Sequence, residues 1–449
     1  MTSSPPTRTL DRQIVALALP ALGALIAEPL FVLIDSALVG HLGTDQLAGL
    51  TLASTLLTTA VGLFVFLAYS TTAAVGRLLG AGDEQRALRA GIDGVWLALL
   101  LGVVVAMVGI AVAPWAITAM GGQGEVAAHA VTYLRTSLPG MPGMLVVLAA
   151  TGVLRGMLDT RTPLYVASIG AVANAGLNAL FIYGFGWGIG GSGAGTAIVQ
   201  LAMGAYLGAR VVSGARRRGI PVAPDLRGLG AGMRLGAPLL IRTLTLRIAI
   251  LLTVATATSL GTVPLAAHQV INSMWGFTAF ALDALAIAAQ ALIGRALGAA
   301  DGESARIVLR RTLVWGALAG LLLGGVIALL AWPLASLFTP DQAVREAAVA
   351  GLYVIAVAMP LAGVVFVLDG VLIGAGDARF LAWAGVISLL AYLPFLWMVR
   401  AWAPTGAGHE AEAVVWLWLA FAVAFMLARG GATYLRSRGD GWAVLGADR

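Results

Sequence analysis

Cysteine is absent from the 449-residue chain. That excludes disulfides, thiolate nucleophiles and cysteine-ligated metals. Lysine is absent as well, so all 27 basic side chains are arginine. The four histidines, at 41, 129, 268 and 409, are too scattered in sequence to suggest a metal cluster. Charge of either sign is scarce. Asp, Glu, Lys and Arg make up 11% of residues, where a soluble domain carries about 25%. So little charge over such a length excludes a disordered chain, a collagen-like chain and an ordinary multidomain soluble enzyme. No GxxxxGK(S/T) phosphate loop occurs, so nothing supports ATP-driven transport by this chain. The glycine-rich run GFGWGIGGSGAG (184–195) joins two apolar runs and reads as a tight turn with close packing, not as a nucleotide loop.

What the chain has instead is apolar surface: 60% of its residues belong to the apolar set, and its mean hydropathy is +0.93. A helix needs about 20 apolar residues to cross a bilayer. Twelve such runs are present, at 14–38, 47–72, 92–113, 130–153, 163–186, 193–213, 235–258, 266–292, 312–331, 347–372, 380–400 and 412–434. The expected fold is therefore an all-α polytopic membrane protein. The arginines set its orientation. If both termini are cytoplasmic, one side of the bilayer holds Arg77, Arg86, Arg89, Arg216, Arg217, Arg218, Arg227, Arg234, Arg306, Arg310, Arg311 and Arg379. The other side holds little beyond Arg135, Arg345 and Arg400. The net charge of +6 thus reads as membrane topology, not as a nucleic-acid footprint. The first apolar run lacks a short h-region and cleavage site, so no signal peptide is expected.

The two halves match at an offset of 218 residues. Pro20 matches Pro238, Gly43 matches Gly261, and Pro142 matches Pro360. VGRLLGAGD (75–83) matches IGRALGAAD (293–301), and GVLRGMLDTR (152–161) matches GVLIGAGDAR (370–379). Each copy holds six spans, an even number, so both enter the membrane from the same side. The predicted architecture is two six-helix lobes related by a pseudo-two-fold axis along the membrane normal, as in alternating-access carriers. The expected divisions are an N-terminal lobe (1–213), a basic cytoplasmic connection (214–234), a C-terminal lobe (235–434) and a cytoplasmic tail (435–449). The repeated turns at 76–83 and 294–301 read as helix caps and topology anchors.

Charges inside the spans are expensive and usually face protein or water. Glu28 and Asp35 lie seven apart and share a helix face, with Pro29 positioned to bend the span. Asp35 is the leading functional candidate. A carboxylate held away from water can gain and lose a proton, which is what a proton-coupled carrier needs. Asn174 and Asn178 in span five and Thr196 in span six can hydrogen-bond such a carboxylate, or can serve as helix–helix glue. In the second half, Arg242, Arg247, His268, Gln269, Asp283 and Asp369 are candidate substrate or accessory polar sites. Arg247 and Asp283 can form an intramembrane pair. Arg135 and Arg429 read as snorkelling to the interfaces. The repeat partners of Asp35, Asn174 and Asn178 are Thr253, Tyr392 and Leu396. The scaffold is duplicated and the ionisable sites are not, so coupling is expected in the first lobe.

The segments EPLFVLIDSALVGHLG (28–43), AAVGRLLGAGD (73–83), LRGMLDTRTP (154–163), NAGLNALFIYGFGWGIGGSGAGTA (174–197), PLAAHQV (264–270) and DALAIAAQALIGRALG (283–298) resemble the multidrug and toxic compound extrusion (MATE) family. The likeness runs from about Leu10 to Arg436. The acidic first span and the Asp283 neighbourhood look most like its DNA-damage-inducible (DinF) branch. The resemblance implies a transporter, not an enzyme, that expels small organic compounds in exchange for protons or sodium ions. It also implies that Asp35 takes part in coupling through a network with Asn174, Asn178 and Thr196. Some relatives carry an aspartate where this chain has Asn178, which leaves one fewer titratable group here. The expected substrates are cationic or amphipathic drugs. Export of organic anions through Arg242 and Arg247, or flipping of a lipid-linked oligosaccharide, are the alternatives. No cofactor, metal or nucleic-acid partner is expected. The proton is the favoured coupling ion, and sodium stays open because carboxylate, amide and hydroxyl oxygens also suit a hard cation. The expected setting is a bacterial inner membrane, with both termini cytoplasmic and the monomer as the functional unit.

Overall fold

A computed structural model describes residues 7–406 and 408–447, except for the side chains of Thr7 and Glu28. Among the described residues, twelve helices are long and apolar enough to cross a membrane: α1 (Arg8–Gly40), α2 (Thr44–Gly80), α3 (Glu84–Ala119), α4 (Gly124–Gly156), α5 (Arg161–Gly184), α6 (Gly188–Arg216), α7 (Leu226–Leu260), α8 (Thr262–Gly298), α9 (Gly302–Phe338), α10 (Gln342–Gly374), α11 (Ala378–Trp402) and α12 (Glu410–Arg438). No strand occurs among the described residues. The helices are longer than the apolar runs because their capped ends extend past the hydrocarbon. A 36-residue helix such as α3 is about 54 Å long, while the bilayer core is about 30 Å thick. Extension from both sides leaves only residues 217–225 between α6 and α7.

The helix boundaries repeat with the sequence. Both ends of α2 and α8, and of α4 and α10, are 218 residues apart. The last pair, α6 and α12, is 222 apart, because residues 403–409 join α11 to α12 where 185–187 join α5 to α6. The matched turns share their hydrogen bonds as well. Gly82 N–H donates to Leu79 and Asp83 N–H to Leu78; Ala300 N–H donates to Leu297 and Asp301 N–H to Ala296. This is the left-handed C-cap that satisfies the last carbonyls of a helix. The next helix begins at once. Asp83 Oδ1 accepts from Arg86 N–H and Asp301 Oδ1 from Ser304 N–H, each at 2.9 Å. Ser304 holds the Asp301 carboxyl below its ordinary pKa.

The described chain divides into two compact units. One is Leu19–Ala237 with the tail residues from Gly446, and the other is Pro238–Leu445 with the chain's beginning up to Ala18. The helix α1 therefore contributes to both. Its first turns are anchored in the second unit by Asp11, which accepts two bonds from Arg311 at 2.5 Å and one from Trp315 at 2.8 Å. Within the units, α4, α8 and α10 are the most inward helices, and α3 and α9 are among the most outward. Outward faces present large apolar side chains such as Leu322, Leu329 and Val357, as expected where lipid replaces water. Helices packed in lipid gain little from further apolar burial and associate through close contact instead. A Cβ on Gly152 would lie 2.4 Å from Ala68 O, and one on its partner Gly370 would lie 2.3 Å from Ala286 O. The repeated GVL runs thus mark matching close helix approaches in the two lobes.

Candidate functional site

Four helices of the first unit build one polar site. α1 supplies Asp35, 4% exposed. Tyr133 comes from α4, Asn174 and Asn178 lie one turn apart on α5, and Thr196 stands in the first part of α6. Local structure explains the convergence. In α4, Pro139 lies within a tighter turn at Leu138–Gly140 and Pro142 follows it, redirecting the helix just after Tyr133. In α5 the last turn, Leu180–Gly184, widens to a π-type turn just beyond Asn178. The glycine-rich run does two jobs. Gly186 and Gly188, at φ 71° and 57°, make the tight turn. The rest belongs to α6 and lets it approach α4 and α5. A Cβ on Gly195 would lie 2.0 Å from Asn178 Oδ1, so α6 carries a glycine beside the amide.

Both carboxylate oxygens of Asp35 accept hydrogen bonds. Asn178 Nδ2 donates to Oδ1. Tyr133 Oη and Thr196 Oγ1 donate to Oδ2 at 2.9 and 3.2 Å. Behind them, Asn174 Nδ2 donates to Thr196 Oγ1 at 3.0 Å, and Asn174 Oδ1 accepts from Asn178 at 3.3 Å. Three donors on one carboxylate suit its ionised form. The same groups can serve the protonated form. Hydroxyls of Tyr133 and Thr196 can turn to accept, and rotation of the Asn178 amide would present its Oδ1. That Oδ1 is buried and has no hydrogen-bond partner among the described residues. The site is therefore able to hold a carboxylate with or without its proton inside the membrane. Three of the roughly four lone-pair sites of the carboxylate are thereby occupied. No group of three or more His, Cys, Asp or Glu suited to a metal occurs among the described residues.

The structure thus brings together Asp35, Asn174, Asn178 and Thr196. The expected partner Glu28 lies on α1, with its side chain outside the described residues. Tyr133 and Gly195 escaped the sequence reading. A tyrosine in an apolar run reads as core, and a glycine among glycines carries no separate signal.

The second unit does not repeat the site. Thr253, at the place of Asp35, meets Tyr392 Oη at 2.8 Å. The Thr253 hydroxyl donates to Ala249 O, so Tyr392 donates to Thr253. Leu396 and, by the 222-residue offset of the last helix, Trp418 replace Asn178 and Thr196. His268 is buried and stacked on Trp418, with ring centroids 5.3 Å apart, at the edge of a cluster with Trp275, Phe421 and Phe425. Gln269 is exposed and Asp283 half-buried.

Two expectations for this unit are corrected. Arg247 is exposed and makes no ion pair with Asp283 among the described residues. It is Arg242, one and a half turns away, that finds a carboxylate: Nη2 lies 2.5 Å from Asp369 Oδ2. Arg429 does not snorkel. It is buried and reaches the same oxygen, because the wide turn at Leu419–Phe425 in α12 precedes it and resets the helix face. The three residues tie α7, α10 and α12 together.

Comparison with known proteins agrees with this architecture. The MatE family matches residues 20–180 and 238–398, two stretches 218 apart. Protein DETOXIFICATION 44, chloroplastic, of Arabidopsis thaliana is 32% identical over 97% of this chain and 84% of its own. DNA damage-inducible protein F of Escherichia coli is 28% identical over 94% and 90%. The structure of the Vibrio cholerae MATE transporter VcmN in the bent form superposes with a TM-score of 0.84 at 23% identity, over 96% of this chain and 99% of that one. The chain belongs to the MatE family, in its DinF-like branch, and is a multi-pass membrane transporter that moves small molecules by secondary transport.

Proposed function

We propose that the chain is an antiporter that expels small organic compounds in exchange for protons, with Asp35 as the coupling carboxylate. The observation that carries this reading is the buried Asp35 with three hydrogen-bond donors, two of them hydroxyls able to reverse their role. Protonation from the outer side neutralises Asp35, releases part of the network and favours substrate release. Loss of the proton inward restores the charged form and resets the carrier. Asn174, Asn178, Thr196 and Tyr133 position the carboxylate and keep both of its forms solvated. The donors already on both carboxylate oxygens support a proton over sodium. Cationic or amphipathic substrates suit this reading, with Glu28 and Asp283 as accessory acidic groups. The engagement of Arg242 with Asp369 leaves less free positive charge for the organic-anion alternative. The proposed setting is a bacterial inner membrane with both termini cytoplasmic, and the monomer works alone because each chain carries both lobes.

The test is efflux of a substrate panel from proteoliposomes, with proton and sodium gradients imposed separately. Asp35→Asn is expected to abolish proton-driven efflux while substrate binding survives. Full proton-coupled efflux by Asp35→Asn with an unchanged pH dependence would overturn the assignment. Efflux driven only by the sodium gradient would replace the proton with sodium.

A further inference from the structure

We propose that the first lobe holds an acidic phospholipid at the arginine-rich end of α3 and α6. A cavity of about 180 Å³ opens there, walled by Ile92, Trp96 and Leu99 of α3, Val212 and Arg216 of α6, and Val222 of the connection that follows. An apolar hole of roughly 150 Å³ is large enough to take a hydrocarbon of benzene's size. This cavity is therefore able to seat one segment of an acyl chain.

Its outer wall is fixed, not a chance gap. Arg89 Nη1 donates to the carbonyls of Pro221 and Ala223 at 2.8 and 3.0 Å, and Trp96 Nε1 donates to Val222 O at 2.9 Å. Three successive carbonyls of the connection are thus pinned against α3. Arg89 is held in turn by Asp93 at 2.9 Å. Its charge is spent inside the wall, and Asp225 is the next acidic group beside Asp93.

The rim is positive. Arg218 is tied to Glu84 at 2.7 Å, while the exposed Arg216 lines the opening and the next residue, Arg217, is exposed as well. Trp96 lies 12 residues, about 18 Å, along α3 from Glu84. That is four residues inside the apolar run that begins at 92, where an indole suits the boundary between headgroups and hydrocarbon. Apolar walls below and guanidiniums above match an acyl chain below an anionic headgroup. Basic pockets between membrane helices commonly take such lipids. The occupant is a lipid because only a lipid presents both parts at this depth.

The experiment is native mass spectrometry of the purified full chain, titrated with phosphatidylglycerol and with phosphatidylcholine of the same acyl chains. Glycerol 3-phosphate serves as a headgroup without chains. Retention of phosphatidylglycerol over the other two is expected. Arg216→Gln and Arg217→Gln are each expected to weaken it about five-fold, the effect of roughly one interfacial arginine. Val212→Phe fills the cavity without changing charge and is expected to remove the tight site. Arg310→Gln, an exposed arginine of the other unit, is expected to change nothing and controls for general charge loss. Equal retention of both lipids, or unchanged retention by a monodisperse Val212→Phe variant, would overturn the proposal. Binding of glycerol 3-phosphate as tight as that of the lipid would do the same.

Discussion

At the residue scale, the spans hold two kinds of buried carboxylate. Asp35 is bound by neutral donors and keeps the freedom to change charge. Asp369 is bound by two guanidiniums, Arg242 and Arg429. Removing one member of a buried ion network strands the others, at a cost of about 3–5 kcal/mol. Asp369→Ala is therefore expected to lower the thermal unfolding midpoint of the purified protein markedly. Asp35→Asn, nearly isosteric and with its own amide to offer, is expected to unfold within a few degrees of the wild type. If the two shifts were reversed in size, the assignment of Asp369 to structure and Asp35 to coupling would fail. Asp35, Asn174, Asn178 and Thr196 were legible from sequence because polar groups are rare and costly in such spans. Tyr133 was not, since one hydroxyl on an aromatic ring leaves hydropathy almost unchanged. The exposed Arg247 and buried Arg429 were misplaced because a charge in a span announces its cost but not which way it faces.

At the scale of elements, the repeated turns make a matched experiment. Gly82 and Ala300 fill the same left-handed position, at φ 78° and 56°. A side chain there is strained by roughly 1–2 kcal/mol, partly offset by the extra freedom glycine has when unfolded. Ala300→Gly is thus expected to stabilise the protein by roughly 0.5–1 kcal/mol. Gly82→Ala should destabilise by a similar amount, because open space surrounds its missing Cβ and only φ is at stake. Urea or thermal midpoints of the two variants should move in opposite directions. The next residue tests the cap. Asp301→Ala is expected to cost about 1 kcal/mol at neutral pH. The folded carboxyl has its pKa lowered by Ser304, so its contribution is present above the unfolded value of about 3.9. It is lost as pH falls through the folded value. The gap between wild type and Asp301→Ala should close in that acidic window, and a gap independent of pH would show that the carboxylate is not the cap.

At the scale of the whole molecule, the absence of cysteine is useful. Single cysteines can be introduced without first removing any, and each reports the side of the membrane on which its connection lies. Arg217 and Gln123 are both exposed, one after α6 and one between α3 and α4. Two helices, α4 and α5, and then α6 separate them, so an odd number of crossings lies between. With both termini cytoplasmic, a membrane-impermeant maleimide added to intact cells is expected to label Gln123→Cys and not Arg217→Cys. Inverted vesicles should give the opposite pattern. Labelling of both from one side would contradict the twelve-span topology, and a clean reversal would place both termini outside.

The sequence by itself determined the spans, the duplicated scaffold and the leading carboxylate. Those follow from quantities that add along the chain: apolar length against bilayer thickness, arginine counts on alternate connections, and one constant offset between halves. Tertiary structure alone decided which polar groups meet. Tyr133 reaches Asp35 across 98 residues, and Arg242 reaches Asp369 across 127. Such meetings depend on where a proline turn, a widened helical turn or a missing Cβ directs a face, and a one-residue rotation of about 100° is enough to turn a side chain from protein to lipid. Hydropathy averages over that rotation, so it locates a helix in the membrane without saying what the helix touches there.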